Sequence, residues 1–122
     1  MTTRSLRSLE KKRAQLLEEL LTVHLMVKGV FGTTFRRCGK KGCWCAANRG
    51  HPYRRITWSE ESRSRTKAIS EEDADWTKEM TANYKRFRES RQKLGELELE
   101  FKAVLARREQ TILEKTKKAR GY

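Results

Sequence analysis

The sequence is poor in proline and has no long apolar segment. Only one of its 122 residues is proline, 36% are hydrophobic, and no stretch approaches the roughly 18 apolar residues of a membrane-spanning helix. The opening residues 1–7 also lack the apolar core of a secretory signal peptide. We therefore expect a cytoplasmic protein without a membrane segment.

The sequence also lacks the residue patterns of common enzyme active sites. It shows no paired carboxylates, no glycine-rich phosphate-binding loop and no set of serine, histidine and aspartate suited to nucleophilic catalysis. We therefore expect a protein that is not an enzyme.

Cysteine is scarce, and its distribution is uneven. All three cysteines lie in Cys38-Gly-Lys-Lys-Gly-Cys43-Trp-Cys45, and His51 follows six residues later. An odd number of cysteines disfavours a disulfide framework, whereas reduced thiolates suit an intracellular protein. Three thiolates and one imidazole are a complete ligand set for a tetrahedral zinc ion. The sequence therefore predicts a structural zinc site formed by Cys38, Cys43, Cys45 and His51.

Other interpretations of the cluster remain open at this stage. The cysteines could be reduced residues of a small core, or one of them could be a redox-active or catalytic thiol. His51 could instead be a histidine at the start of a strand, in which case water or a partner's side chain would complete the metal site. An open position of that kind would make an enzyme conceivable. We expect His24, on the apolar side of the first predicted helix, to be a packed core residue rather than a ligand.

Acidic residues are too few to balance the basic ones. The net charge is +13, and residues 29–69 carry ten basic and two acidic side chains, which gives this segment +8. Concentrated positive charge attracts polyanions, of which nucleic acid is the commonest. The neighbouring aromatic residues Trp44, Tyr53 and Trp58 could stack on bases, or they could form the core of a small sheet that the cations solvate. We predict phosphate contacts, to DNA more than RNA, from Arg36, Arg37, Lys40, Lys41, Arg54, Arg55, Arg63, Arg65 and Lys67.

Apolar residues recur at helical spacing on both sides of the basic segment. The first such stretch predicts a helix over residues 3–28, ended by Gly29. The second predicts a long helix over residues 70–118, capped by Ser70 with Asp73 at the capping-box distance, and a tail over residues 119–122. We expect the two helices to pack as an antiparallel coiled coil.

Residues 29–69 have the alternation of short strands. Their β-branched and aromatic residues predict three strands in a meander, with the cysteine loop joining the first two. The chain is thus predicted to be one α+β domain over residues 1–122. Because the first helix is about half as long as the second, the apolar stripe at residues 94–112 is expected to contact a protein partner or a second copy.

The cysteine string, His51-Pro-Tyr53, Ser64-Arg-Thr-Lys67 and Asn83-Tyr-Lys-Arg-Phe-Arg88 together resemble a family of small prokaryotic proteins. This family is described as a domain of unknown function and is often encoded near mobile elements. The resemblance covers about residues 25–97. It implies the zinc-binding loop and the architecture, and a mobile-element setting would suit a DNA-binding accessory to a transposase or recombinase.

Two functions follow as hypotheses. The first is a nucleic-acid-binding accessory protein, within a transposition or recombination complex, whose zinc ion is structural. The second is an assembly or adaptor protein that docks a partner on its long helix, with its charge incidental. The salt dependence of binding to random duplex distinguishes the two, because contacts to phosphates weaken steeply as salt rises.

Overall fold

A computed structural model of the chain describes residues 2–122, apart from the side chains of residues 2–4, 45 and 46. Along the chain, a helix is followed by three strands and a second helix: α1 (Thr2–Thr22), β1 (Val30–Arg36), β2 (His51–Glu60), β3 (Arg63–Ala68) and α2 (Ala74–Arg120). A short 3₁₀ helix, Trp44–Ala47, lies between β1 and β2. The predicted α+β class, with an N-terminal helix, a three-stranded antiparallel sheet and a long C-terminal helix, is confirmed.

Helix α1 ends at Thr22, six residues before the predicted end. The Thr22 hydroxyl donates to the carbonyl of Glu19 at 2.8 Å in the last turn. Beyond it, the backbone bonds to α2 instead of continuing the helix: Val27 N–H donates to the Met80 carbonyl at 3.1 Å, and the Asn83 amide donates to the Leu25 carbonyl at 3.1 Å. His24 is therefore exposed outside the helix, and its predicted place in the core is wrong.

Helix α2 begins at Ala74, four residues after the predicted start. Ser70 does cap a turn, since its hydroxyl accepts the Asp73 N–H at 3.3 Å, but this turn precedes the helix. The Asp73 carbonyl then accepts the Thr77 N–H at 2.9 Å and starts the helical pattern. At the other end the helix continues to Arg120, so residues 119 and 120 are helical rather than part of a tail.

The sheet is a meander with strand order β1-β2-β3. Its register pairs Phe31 with Ile56 and Ile56 with Lys67, so these three side chains share one face. We call this the Trp58 face, because alternate residues of β2 up to Trp58 lie on it. The opposite face, which carries Thr34, Tyr53 and their neighbours, is the Tyr53 face. Ile56 is buried, and Val27 lies over the Trp58 face in a shallow groove that both residues line.

The chain forms two compact units. One consists of the chain up to His24 with Phe87–Tyr122, and the other of Leu25–Arg86. Helix α2 runs through both units, so the prediction of one domain stays a prediction. No helix among the described residues is long and apolar enough to cross a membrane.

The first unit is an antiparallel helix pair. Its buried core joins Leu9 of α1 to Leu97 and Val104 of α2, with Leu6, Leu16 and Phe101 packed around them. Two polar contacts show that the helices run antiparallel. Arg13 lies 3.9 Å from Glu98, and Glu19, later in α1, accepts a hydrogen bond from Ser90, earlier in α2. Coiled-coil packing stays a prediction.

The apolar stripe at residues 94–112 is partly covered within the chain, which differs from the prediction. We expected α1 to leave this stripe uncovered, but Leu97 and Val104 are only 6% exposed. Leu105, Ile112 and Leu113 remain about half exposed beyond them. Helix α1 therefore covers the first part of the stripe within the chain, and only its end is open.

The second unit has a smaller buried set. Its buried residues among those described are Gly50 and Ile56, before and within β2, and Thr77, Met80 and Thr81 in α2. Thr81 needs no outside partner, since its hydroxyl donates to the Lys78 carbonyl at 3.0 Å. So small an apolar core gives this unit little stability of its own, and small domains of this kind usually contain a metal ion or disulfides.

Candidate metal centre and basic surface

The loop between β1 and β2 turns back on itself immediately after Cys38. The Cys43 N–H donates to the Lys40 carbonyl at 3.3 Å, which closes a four-residue turn. Gly42, the third residue of that turn, has a φ of 78°, as a type II turn requires. This turn returns Cys43 towards Cys38, and the following 3₁₀ helix leads the chain to His51 at the start of β2.

Three of the four predicted ligands converge on one point. The Sγ atoms of Cys38 and Cys43 and a ring nitrogen of His51 all lie within 4.8 Å of one another. Cys43 Sγ and His51 Nε2 are 3.3 Å apart. In a tetrahedral zinc site, bond lengths of about 2.3 Å to sulfur and 2.0–2.1 Å to nitrogen place the ligand atoms roughly 3.5–3.8 Å apart. The three donor atoms therefore fit a metal ion with small side-chain movements.

The fourth predicted ligand, Cys45, lies outside the described side chains. Its backbone is in the 3₁₀ helix between Cys43 and His51. The ligand set that the described residues support is thus two thiols and one imidazole. These donors suit zinc and other soft or borderline metals better than magnesium or calcium, which prefer oxygen.

The two described cysteines differ in burial. Cys38 is exposed and Cys43 is half-buried. The interpretation as a reduced core residue is therefore wrong for the exposed Cys38 and stays an alternative for the half-buried Cys43. Exposure alone is also compatible with a redox-active thiol. The neighbouring imidazole and second thiol favour metal binding instead.

His51 is held in position by its neighbours on both sides. Its ring meets the Trp44 ring edge to face, with 4.9 Å between the centroids and 73° between the planes. In the sheet it is the partner of Arg36, the last residue of β1. The strand pairing thus fixes the backbone of His51, and the contact with Trp44 packs its ring.

Gly50, immediately before His51, is buried and has a φ of 107°. A β-carbon at this position would overlap the Arg36 carbonyl and lie 2.7 Å from the Arg37 nitrogen. The chain therefore passes directly against the end of β1, two residues before Cys38. This close approach brings the two ends of the cysteine loop together.

Side-chain hydrogen bonds also close the loop. Arg37 Nε donates to the Asn48 carbonyl at 3.2 Å, and the Asn48 amide donates to the Trp44 carbonyl at 3.3 Å. Sequence reasoning missed the roles of Asn48 and Gly50, since an isolated asparagine or glycine in a loop has many possible uses. The position of Gly50 directly before a predicted ligand was the one available signal.

The structure divides the predicted phosphate-contacting residues by their partners. Arg36 stacks on the Tyr53 ring at 4.5 Å, Arg37 bonds to Asn48, and Arg55 Nη1 donates to the Thr34 hydroxyl at 3.4 Å. Among the described residues, the remaining members of the set have no such side-chain partner: Lys40, Lys41, Arg54, Arg63, Arg65 and Lys67. The side chains of this second group are therefore not engaged by other described residues.

The predicted residues also lie on different faces of the sheet. Arg36 and Arg55 lie on the Tyr53 face, whereas Arg54 lies on the Trp58 face. The three basic residues of β3 share the Trp58 face. Arg63 pairs with Glu60, Arg65 with Trp58, and Lys67 with Ile56. The sequence order alone did not show this division.

The sheet aromatics are engaged within the protein. Arg36 covers Tyr53, and Arg49 lies 4.3 Å above the Phe35 ring. Trp58 is half-buried, and its indole N–H donates to Glu60 at 3.3 Å. Trp44, on the cysteine loop, is 57% exposed. In the described strands, Phe35 is the aromatic residue that remains exposed, at 41%, and the other rings are at least partly buried.

Comparison with known families identifies the chain. A family model described as a domain of unknown function, DUF6788, matches residues 6–79, which is more than half of the chain, and the protein therefore belongs to that family. The match includes most of α1, the sheet and the cysteine loop. It ends in the second turn of α2, short of the Asn83–Arg88 string. No curated protein and no solved structure shows significant similarity to the chain.

Proposed function

We propose that this DUF6788 protein is a non-enzymatic nucleic-acid-binding protein whose sheet is stabilised by a structural zinc ion. The observation that carries the proposal is the concentration of charge. Residues 29–69 have a net charge of +8, and six of their basic side chains have no partner among the described residues. Uncompensated cations on so small an element are best explained by an anionic ligand.

The zinc ion would be bound by Cys38, Cys43 and His51, with Cys45 as the fourth ligand. Bound there, it would cross-link the end of β1 to the start of β2. Such a link stabilises the folded state because the unfolded chain has no preformed site. The second unit, with its small buried set, would gain most from it.

The ligand set also supports the non-enzymatic part of the proposal. Catalytic zinc sites keep a position open for water, whereas four protein ligands close the coordination sphere. With Cys45 bound, no open position is left for a substrate. The residues of this loop then act by holding the sheet.

DNA is the proposed partner, because its duplex offers a regular array of phosphates and a major groove wide enough for a two-stranded β-ribbon. The major groove of an RNA duplex is deep and narrow and excludes side chains. The resemblance to proteins encoded near mobile elements adds a setting to this proposal. The protein would act as an accessory within a transposition or recombination complex.

Fluorescence anisotropy with a labelled duplex of random sequence tests the proposal. We expect binding at low salt whose logarithm of affinity falls linearly with the logarithm of salt concentration, because displaced counterions drive association. Zinc-loaded protein that fails to bind duplex or single strand at 50 mM salt would contradict the proposal. A partner protein would then have to be sought.

A second candidate function is protein assembly through α2. It rests on the exposure of Leu105, Ile112 and Leu113, which are 51%, 49% and 53% exposed beyond the part that α1 covers. Sedimentation velocity tests this candidate. A concentration-dependent dimer that Ile112→Glu abolishes would support it, and a monomer at all concentrations would rule out self-association.

A further inference from the structure

One row of cations differs from the rest of the basic surface. Arg63, Arg65 and Lys67 of β3, here called the β3 basic row, are alternate residues of an edge strand and all three are exposed. Their pairing with Glu60, Trp58 and Ile56 places all three on the Trp58 face. They therefore form a row of positive charge along one side of the sheet.

The spacing of the row suits a regular polyanion. Alternate residues of an antiparallel strand are about 6.8 Å apart, at about 3.4 Å per residue. This separation is of the same order as that between successive phosphates along a nucleic-acid strand. Three cations in line can therefore each face a different phosphate.

The side chains of the row are available for such contacts. Among the described residues, none of the three makes a side-chain hydrogen bond, an ion pair or a ring contact. Arg36, Arg37 and Arg55, by contrast, already have partners within the protein. Basic side chains on an edge strand also prevent edge-to-edge pairing of sheets, but that role does not require three cations on the same face.

The aromatic residues indicate which form of nucleic acid fits. Proteins that bind single strands stack successive bases on uncovered aromatic rings. In this sheet, Arg36 stacks on Tyr53, Arg49 stacks on Phe35, which remains 41% exposed, and Trp58 is half-buried. The exposed Trp44 lies on the cysteine loop and offers one ring rather than a series. The sheet is thus suited to phosphates and lacks a platform for bases.

We infer that the β3 basic row is the principal contact surface and that its ligand is the phosphate backbone of a DNA duplex. This inference rests on the proposed nucleic-acid-binding function and specifies its interface. Contacts of this kind position a protein on DNA without reading sequence. Binding should therefore depend strongly on salt and little on base composition.

The test compares two triple variants that remove the same charge. Arg63→Gln/Arg65→Gln/Lys67→Gln removes the row, and Lys85→Gln/Arg88→Gln/Arg91→Gln removes three exposed cations of α2. Affinity for a random duplex is measured by fluorescence anisotropy from 50 to 300 mM salt. We expect the row variant to lose about tenfold or more in affinity at 100 mM salt and to reduce the salt slope by about 2.7, which corresponds to three phosphate contacts.

The α2 variant serves as the charge-matched control and should keep most of the slope. Equal losses in the two variants would overturn the assignment of the interface while leaving nucleic-acid binding intact. Absence of binding by the unsubstituted protein would instead contradict the proposed function itself. If the Gln variant fails to fold, Arg63→Lys/Arg65→Lys keeps the charges and should retain binding; a tenfold loss in this folded variant would contradict simple phosphate contacts.

A single strand of the same length distinguishes the two forms of nucleic acid. We expect it to bind no more tightly than the duplex and to leave tryptophan fluorescence nearly unchanged. Tighter binding of the single strand, with quenching that Trp44→Ala abolishes, would overturn the assignment to duplex and point to stacking on the cysteine loop.

Discussion

At the scale of single residues, Gly50 connects the metal-binding loop to the sheet. It lies against the Arg36 carbonyl with a φ of 107°, so the residue has neither the space nor the backbone conformation for a side chain. Through this contact the chain reaches His51 directly beside the end of β1. The position of one proposed ligand therefore depends on a residue that binds nothing itself.

Replacement of Gly50 by alanine should destabilise the protein. We expect a loss of about 1–3 kcal/mol in the free energy of unfolding from backbone strain, with a further loss from overlap with Arg36. Chemical denaturation measures it. Gly95→Ala is the matched control, because a β-carbon there meets nothing within 4 Å and alanine in a helix should add about 0.5–1 kcal/mol. Equal stability of the two variants would contradict the close approach at Gly50.

Replacement of Cys43 by serine tests the metal ligands. The serine hydroxyl is a poor zinc ligand, so we expect loss of bound zinc and unfolding of the sheet, while the helix pair and most of the far-ultraviolet helical signal remain. Elemental analysis and the near-ultraviolet circular dichroism of the tryptophans measure the two effects. Lys41→Ser, in the same turn, should retain both zinc and the tryptophan signal. A folded, zinc-free Cys43→Ser protein would show that the sheet does not need the metal.

At the scale of elements, the long second helix is held by a few buried positions. Leu97 and Val104 pack against Leu9, whereas Leu99, two residues along the same helix, is 66% exposed. The buried positions of α2 therefore contribute to the free energy of unfolding, whereas the exposed positions contribute little. A salt bridge such as Arg13–Glu98, with both side chains more than half exposed, adds little to it.

This difference predicts the result of two leucine substitutions. Leu97→Ala should lower the free energy of unfolding by about 2–5 kcal/mol, since it leaves a cavity in the helix pair. Leu99→Ala should change it by less than about 0.5 kcal/mol. Thermal unfolding followed at 222 nm compares the two. Similar losses would mean that α1 does not cover this part of α2.

The elements themselves were predictable from local patterns, but their ends were not. Alternating residues predicted the three strands, and helical spacing predicted both helices. Helix α1 stops at Thr22 because Leu25 and Val27 bond to Asn83 and Met80 of α2, which lie 58 and 53 positions later in the chain. No local pattern contains that information. For the same reason the sequence did not show that α1 covers Leu97 and Val104.

The candidate site was predictable in composition and only partly in arrangement. Cys38, Cys43 and His51 were expected as ligands because of their chemistry, and their convergence agrees with that expectation. The division of the basic residues between two faces depends on the strand register. That register places Arg65 opposite Trp58 and Arg36 opposite His51, pairings that become visible only when the strands are aligned.

At the scale of the whole molecule, metal binding and nucleic-acid binding are coupled in this account. The zinc ion would stabilise the unit Leu25–Arg86, which also contains the β3 basic row. The row needs a formed β3, and β3 pairs only with β2, whose first residue is the proposed ligand His51. Loss of the metal should therefore abolish binding although every basic side chain of the row is still present.

The most direct test measures zinc content and duplex affinity on the same sample before and after chelation. We expect about one zinc ion per chain, loss of duplex binding when a strong chelator removes it, and recovery of binding when zinc is restored. Magnesium, which prefers oxygen ligands, should not restore binding. Zinc-free protein that binds duplex with unchanged affinity would contradict the central claim that a zinc-stabilised sheet presents the nucleic-acid-binding surface.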